Sequence, residues 1–347
     1  MSLSPPLRGA LIGCGFVARH HLDAWREVPG ATLVALCDLQ PDRLERAGAS
    51  WPEAACFDDA AALFASTPLD FVELCTRPES HRALTELAAR RGVHVLCQKP
   101  AAPGRADLIA MIDACRASGV RLMIHENWRF RPWYRALRAA LDAGAIGCPS
   151  RLRIAHRDTR ALRPGGFADQ PYFATMPRLI LFEMGCHLID TARYLFGEIA
   201  AVTATYRRFG EGHAGEDAAA LTVEFASGTL GLLDLSWCSP ADVARPEWAL
   251  NETVAEGTEG ALRLQADGAW EYVALDGATE RRPVALPPDD RVYVDGYRAT
   301  QAHFIAGLRA GTPHETSGED TLRTMDAVWA AYQSAAEGRA IRLPHPA

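Results

Sequence analysis

Gly13, Gly15 and Ala18 in "RGALIGCGFVARHHLDAW" spell G-x-G-x-x-A after a strand-like apolar run, Ala10 to Ile12, and open a helical pattern. That order of residue types suits a pyrophosphate. Gly13 makes the tight turn, Gly15 lets the backbone approach the phosphates, and Ala18 lets helix and strand pack closely. The free amides of the turn and helix start, through Phe16 and Val17, attract the anion. A second apolar run, "ATLVALCD", ends in Asp38, 20 residues after Ala18. A carboxylate there accepts hydrogen bonds from ribose hydroxyls and repels a 2′-phosphate, which favours NAD over NADP. The same residues also fit a plain turn and a solvated acid at a strand end; the strand-helix-strand setting favours the dinucleotide.

A second chemical residue stands in "VHVLCQKP", where Lys99 leaves a strand-forming run directly before Pro100. Lysine in a cleft can be a general base, yet a proline there also reads as a strand terminator, and the three residues alone do not separate the two.

The elements that must position these groups alternate: "LDFVELCT", a helical stretch Glu79 to Arg90, "GVHVLCQK", a helical stretch Arg105 to Ser118, and "GVRLMIHEN". Such alternation predicts a Rossmann-type, doubly wound parallel sheet whose ligands lie beyond the carboxyl ends of its strands. Cys75-Thr76, Gln98-Lys99 and Glu126-Asn127 occupy those ends.

From Asn127 the pattern changes, so the expected domains are residues 1–126 for the dinucleotide and 127–347 for substrate binding and oligomerisation. A long polar and aromatic segment, "HRDTRALRPGGFADQPYFATMPR", places Tyr172 and Phe173 near arginines, as a lid over a polyol or as a surface loop. "EMGCHLIDTARYLFG" is helical from about Cys186, with Leu188, Ile189, Ala192, Leu195 and Phe196 on one face and His187, Asp190, Thr191 and Tyr194 on the other. Glu183 precedes His187 by four and Asp190 follows it by three, so either can orient the ring. Five strands then follow, "DAAALTVEFA", "GTLGLLDLSW", "EWALNETVAE", "GALRLQAD" and "AWEYVALD", read as an antiparallel meander with helices on one face. "TSGED" caps a last helix from about Asp320 to Ala336.

Composition sets the outer limits. The chain has 347 residues, 48% hydrophobic and 23% charged, with net charge −7 and scattered arginines. Two globular domains are expected, with no preference for nucleic acid or anionic membrane. Nine cysteines without a Cys-x-x-Cys pair read as reduced thiols of a cytoplasmic protein. No apolar run approaches the roughly 18 residues of a membrane span, and "MSLSPPLRG" lacks a signal peptide's apolar core. The histidines do not cluster in sequence at ligand spacings, so no metal site is expected.

The chain resembles the Gfo/Idh/MocA oxidoreductases over nearly its whole length. The resemblance is carried by "GCGFVARHH", "CTRPESH", "CQKP", "HENWRFRPWYRALRAALDAGAIGCP" and "FEMGCHLIDTARYLFGE". It implies that Lys99 is the catalytic acid/base, often joined to its proline by a cis bond, and that Glu183 and His187 face the substrate. It implies Phe16, Val17, Thr76, His81, Gln98 and Asn127 on the cofactor, and Arg129, Tyr172 and Asp190 on the substrate. It implies a homodimer or homotetramer paired through the open sheet face. Two departures stand out: Gln98 replaces the usual glutamate, and Glu183 the more common aspartate. The expected reaction moves hydride between NAD and a CH-OH group of an aldose, branched sugar or inositol. Lys99 takes the hydroxyl proton, His187 holds a hydroxyl, and Glu183 and Asp190 accept others. An NAD-dependent glycoside hydrolase and a non-catalytic NAD-binding regulator are the alternatives.

Overall fold

The structure, a computed structural model, describes residues 5–241, 248 and 250–344. It divides into two compact units, one of Met1–Asn127 with Val294–Leu322 and the other of Trp128–Tyr293 with Arg323–Ala347.

The first unit alternates strands and helices: β1 (Leu7–Ile12), α1 (Ala18–Trp25), β2 (Ala31–Cys37), α2 (Pro41–Ser50), β3 (Ala55–Phe57), α3 (Ala60–Ser66), β4 (Phe71–Leu74), α4 (Pro78–Arg90), β5 (His94–Gln98), α5 (Arg105–Ala117) and β6 (Leu122–His125). Its six strands are ordered β3-β2-β1-β4-β5-β6 and every pairing is parallel. This is the doubly wound order, which reverses direction between β1 and β4. Central strands of such a sheet are covered on both faces and read as unbroken apolar runs. β4 obeys this except at Glu73, which is 0% exposed in the run Phe71-Val72-Glu73-Leu74.

The second unit contains α6 (Pro132–Asp142), β7 (Pro149–Arg157), α7 (Ile180–Glu183), α8 (Gly185–Phe196), β8 (Ile199–Arg207), β9 (Ala218–Phe225), β10 (Leu230–Ser236), β11 (Glu252–Gly257), β12 (Gly260–Leu264), β13 (Trp270–Ala274) and β14 (Thr279–Arg282). Helices α9 (Val292–Ala310) and α10 (Gly318–Glu337) and strand β15 (Ile341–Arg342) close the chain. The nine-stranded sheet runs β14-β13-β12-β11-β7-β10-β9-β8-β15. It is mostly antiparallel, but the expected simple meander is corrected: β7 inserts between β10 and β11 and pairs in parallel with β10. The third expected strand begins at Glu252; Glu247 and Ala249 of that stretch lie outside the described residues. Along β9, Ala219, Leu221, Val223 and Phe225 are buried while Ala220, Thr222 and Glu224 are exposed, the period-2 alternation of a sheet with one covered face.

Val294–Leu322 returns to the first unit instead of continuing the second. Phe304 packs edge-on against Phe71 at 5.8 Å, and Gln301 donates to the carbonyl of His21 at 3.2 Å. The Thr316 carbonyl accepts the Ile124 amide at 2.8 Å and its hydroxyl donates to the Ile124 carbonyl at 2.6 Å, so the segment extends the β6 edge. Ser317 Oγ then accepts the amide of Asp320 and caps α10.

Candidate active site

The nucleotide end of the first unit is built around one close approach. Gly13 has φ +97°, and a methyl added there would lie 2.7 Å from the carbonyl carbon of Cys75. Only glycine fits the turn and its neighbour together. Gly15 faces open space. The same loop is tied to β2 by Asp38, whose carboxylate accepts the amides of Cys14 at 2.6 Å and Gln40 at 2.8 Å. A carboxylate offers about four lone-pair sites, so two remain for ribose hydroxyls. Val17 caps α1, Phe16 lies under the Arg19 guanidinium at 4.0 Å, and both are half-buried. At the end of β6, Asn127 is 4% exposed and its Oδ1 has no hydrogen-bond partner among the described residues. A buried orphan acceptor carries a cost that a ligand's donor removes. The glycine turn, the acid and this acceptor fit a bound NAD.

Two residues expected on the cofactor have other tasks. His81 is 0% exposed, with its ring nitrogens 3.0 Å from the Thr76 carbonyl and 3.1 Å from that of Ala101. Burial holds its pKa below the ordinary imidazole value, against the upward pull of those carbonyls. It clamps two loops from behind. Thr76 is half-buried and its hydroxyl accepts from Ser80. Gln98 is 5% exposed; its carboxamide contacts the Lys99 amide at 2.7 Å and His21 Nε2 at 2.6 Å, so its groups are spent inside the fold. Lys99 itself is half-buried at the carboxyl end of β5, and its bond to Pro100 is cis.

Histidines and an acid that lie far apart in the sequence meet in the fold. His21, Glu73 and His125 bring ligating atoms within 4.8 Å of one another, from positions 52 residues apart in two successive steps. No spacing rule spans such gaps.

In the second unit, α8 is buried nearly all round. His187, Asp190 and Thr191, expected on a polar face, are 5%, 0% and 0% exposed. His187 stacks on Trp128 at 4.5 Å with planes 4° apart, and Glu183, the last residue of α7, is 2% exposed. Asp190 pairs with Arg129 through bonds of 2.8 and 2.5 Å and accepts the Thr324 hydroxyl at 3.3 Å. Tyr172 is half-buried and donates to Gln170 within its own loop at 3.1 Å. That loop is anchored by Phe173 stacked on Trp237, and it borders an 820 Å³ groove lined by residues such as Arg160, Phe167 and Phe209.

One residue went unread in the sequence. His156, near the end of β7, is 6% exposed and lies 5.8 Å from Trp128. Asn251 Nδ2 donates to the Tyr134 hydroxyl, so Asn251 Oδ1 accepts from His156 Nδ1 at 3.0 Å. Nε2 then carries a lone pair, and it has no partner among the described residues. Burial pushes this imidazole down to about 4, against the Asn251 bond, so it is neutral at pH 7. The only sequence signal was a histidine among the inward positions of a strand.

A parallel six-stranded sheet with a glycine turn, an acid on the second strand and a lysine on the fifth defines a dinucleotide-dependent oxidoreductase. A model of the oxidoreductase family with an NAD-binding Rossmann fold matches residues 7–126, and one of the GFO/IDH/MocA C-terminal domain matches residues 134–263. The chain belongs to the Gfo/Idh/MocA family. A D-apiose dehydrogenase of Paraburkholderia graminis is 41% identical over 343 residues, 97% of this chain and 89% of that protein. Inositol 2-dehydrogenase 4 of Saccharopolyspora erythraea is 32% identical, covering 91% of this chain and 95% of that protein. An oxidoreductase from Agrobacterium radiobacter, solved with NAD+, L-tartaric acid and magnesium, superposes with a TM-score of 0.90 at 35% identity, covering 97% and 98% of the two chains.

Two stability outcomes follow. Asp190→Asn leaves the Arg129 guanidinium buried without its counter-charge, so the unfolding free energy should fall by about 3 kcal/mol, measured by urea titration of tryptophan fluorescence. A loss under about 1 kcal/mol, the scale of an exposed pair, would refute that role. The second concerns pH. His156, His20 and His314 are each held down to about 4 from 6.5, mainly by burial. Between these values the unfolded chain binds protons that the folded chain does not, so stability should be full above about pH 6.5 and decline as pH falls toward 4. A urea midpoint unchanged between pH 7 and pH 5 would contradict this.

Proposed function

We propose that this protein oxidises a CH-OH group of a sugar or polyol, with D-apiose the first candidate, and that Lys99 accepts the hydroxyl proton. The observation that carries the reading is the half-buried lysine at the carboxyl end of β5 in an NAD-binding domain. It is supported by the 41% identity to a D-apiose dehydrogenase across almost the whole chain. NAD, when bound, supplies the hydride acceptor. The chain's own residues hold it: the amides of Gly15, Phe16 and Val17 take the phosphates, Asp38 the ribose hydroxyls, and Asn127 Oδ1 a donor.

On this reading the first unit serves the cofactor and the second the substrate and subunit contacts. His187, rigid on Trp128, holds a substrate hydroxyl; Glu183 accepts another, and His156 Nε2 is a further acceptor. Lys99, from the first unit, removes the proton of the secondary alcohol. We place the protein in the cytoplasm, as its free thiols favour. Among the described residues no helix is long and apolar enough to cross a membrane.

Absorbance at 340 nm with NAD and a panel of D-apiose, other aldoses and inositols should show net NADH formation. Lys99→Met should keep NAD affinity and lower kcat by about 10²–10⁴. Wild-type turnover in that variant would refute the lysine's role; product release without net NADH would indicate hydrolysis, and NAD binding without turnover a regulator. The exposed, mixed face of the nine-stranded sheet is proposed to pair subunits, so light scattering should give at least twice the 37.7 kDa of one chain. A monodisperse monomer at micromolar concentration would remove that claim.

A further inference from the structure

Glu73 is an ionisable group in the middle of a central parallel strand, a position that costs several kcal/mol unless the charge is fully bonded. Trp25 Nε1 donates to its Oε2 at 2.6 Å, His21 Nδ1 lies 2.8 Å from Oε1, and Gln301 Nε2 donates to Oε2 at 3.3 Å. Three N–H groups face its two oxygens, and a carboxylate can accept from all of them, so these bonds favour the ionised form. It is an anion in the core.

The contacts that lead away from it have a fixed direction. A backbone N–H can only donate, so the Lys99 amide at 2.7 Å fixes the Gln98 carboxamide with its oxygen toward Lys99. Its NH2 then faces His21 Nε2 at 2.6 Å. An NH2 cannot accept, so Nε2 presents a lone pair and the ring proton resides on Nδ1, aimed at Glu73. The groups around His21 come from every neighbouring element: Glu73 from β4, Gln98 from β5, His125 from β6, His20 and Trp25 from α1, and Tyr297 and Gln301 from α9.

We propose that Glu73, His21 and Gln98 are positioning residues for Lys99: one buried hydrogen-bond chain that runs from the core carboxylate through a neutral Nδ1–H imidazole to the lysine's own backbone amide. A lysine side chain has four rotatable bonds, and anchoring its root is what lets its ammonium group return to one place. The role rests on the dehydrogenase reading only through the work of Lys99. Gln98 sets the polarity. A glutamate there would present an acceptor to Nε2 as Glu73 does to Nδ1, and His21 would take up a second proton.

The test uses the whole chain and the variants Gln98→Ala and Gln98→Glu. In long-range nitrogen-proton NMR at pH 7, His21 Nε2 should appear unprotonated in the unmodified protein, and both ring nitrogens should appear protonated in Gln98→Glu. The Lys99 amide should exchange at least about tenfold faster in Gln98→Ala, with the loss of its hydrogen bond. In the same variant kcat should fall about tenfold with NAD affinity kept, while Gln98→Glu, which still accepts from Lys99, should restore most of it. A purely structural glutamine predicts lower stability with turnover per folded molecule unchanged, and that result overturns the proposal. A protonated Nε2 in the unmodified protein overturns it as well. If Gln98→Ala does not fold, the NMR comparison with Gln98→Glu decides; if no sugar is oxidised, the dehydrogenase reading fails while the NMR and exchange results still judge the hydrogen-bond chain.

Discussion

The turn at Gly13 lies so close to the exit of β4 that nothing larger than a hydrogen fits between them. That contact ties the phosphate-facing turn to Cys75 and Thr76, and the tie continues. The His81 ring fills the space between the Thr76 and Ala101 carbonyls and donates its N–H to one of them, and Ala101 follows Lys99 by two residues. The loops after β1, β4 and β5 are therefore one mechanical piece. A parallel sheet delivers those loops to one edge as a matter of topology, but topology does not fix them to ångström accuracy. The glycine contact and the buried histidine supply the missing accuracy, as a site for hydride transfer requires.

Both units use buried neutral histidines as directional parts. In each, the ring's partners decide which nitrogen holds the proton: Gln98 and Glu73 around His21, Asn251 beside His156. At His156 burial penalises the imidazolium, so the ring stays neutral across neutral pH and its lone pair keeps its direction. The ion pairs behave differently. Arg129 pairs with Asp190, Thr324 adds a donor to the carboxylate, and the pair holds the short turn Trp128–Phe130 to α8. Trp128, the platform for His187, belongs to that turn, so the pair supports the stacked histidine.

How much of this was legible depends on where the partners lie in the chain. The glycine turn, Asp38 and Lys99 could be read because each is a local pattern of residue type against strand and helix periodicity. The alternation along β9 could be read for the same reason. The faces of α8 were misread, since periodicity separates polar from apolar residues but cannot tell a solvated polar group from one paired inside the core. Asp190 finds Arg129 61 residues away, and β7 finds β10 across α8 and two further strands. Glu73 gave no signal: an acid in "DFVEL" is ordinary on an edge strand and acquires meaning only once β4 is seen to be central, with α1 laid over it.

The substitution of glutamine for the acid usual before the lysine illustrates how such a site absorbs change. An acid at position 98 and the carboxylate of Glu73 would bracket His21 with two acceptors and require a buried imidazolium between two anions. Gln98 keeps the acceptor that Lys99 needs and replaces the other with a donor, which the unprotonated Nε2 satisfies. The number of hydrogen bonds is the same in both arrangements, and the core holds one fewer anion and one fewer proton. What the side chain at 98 preserves is geometry at the lysine's root. A departure in residue type at this position therefore keeps the acceptor at the lysine's root, the feature that the proposed positioning role needs.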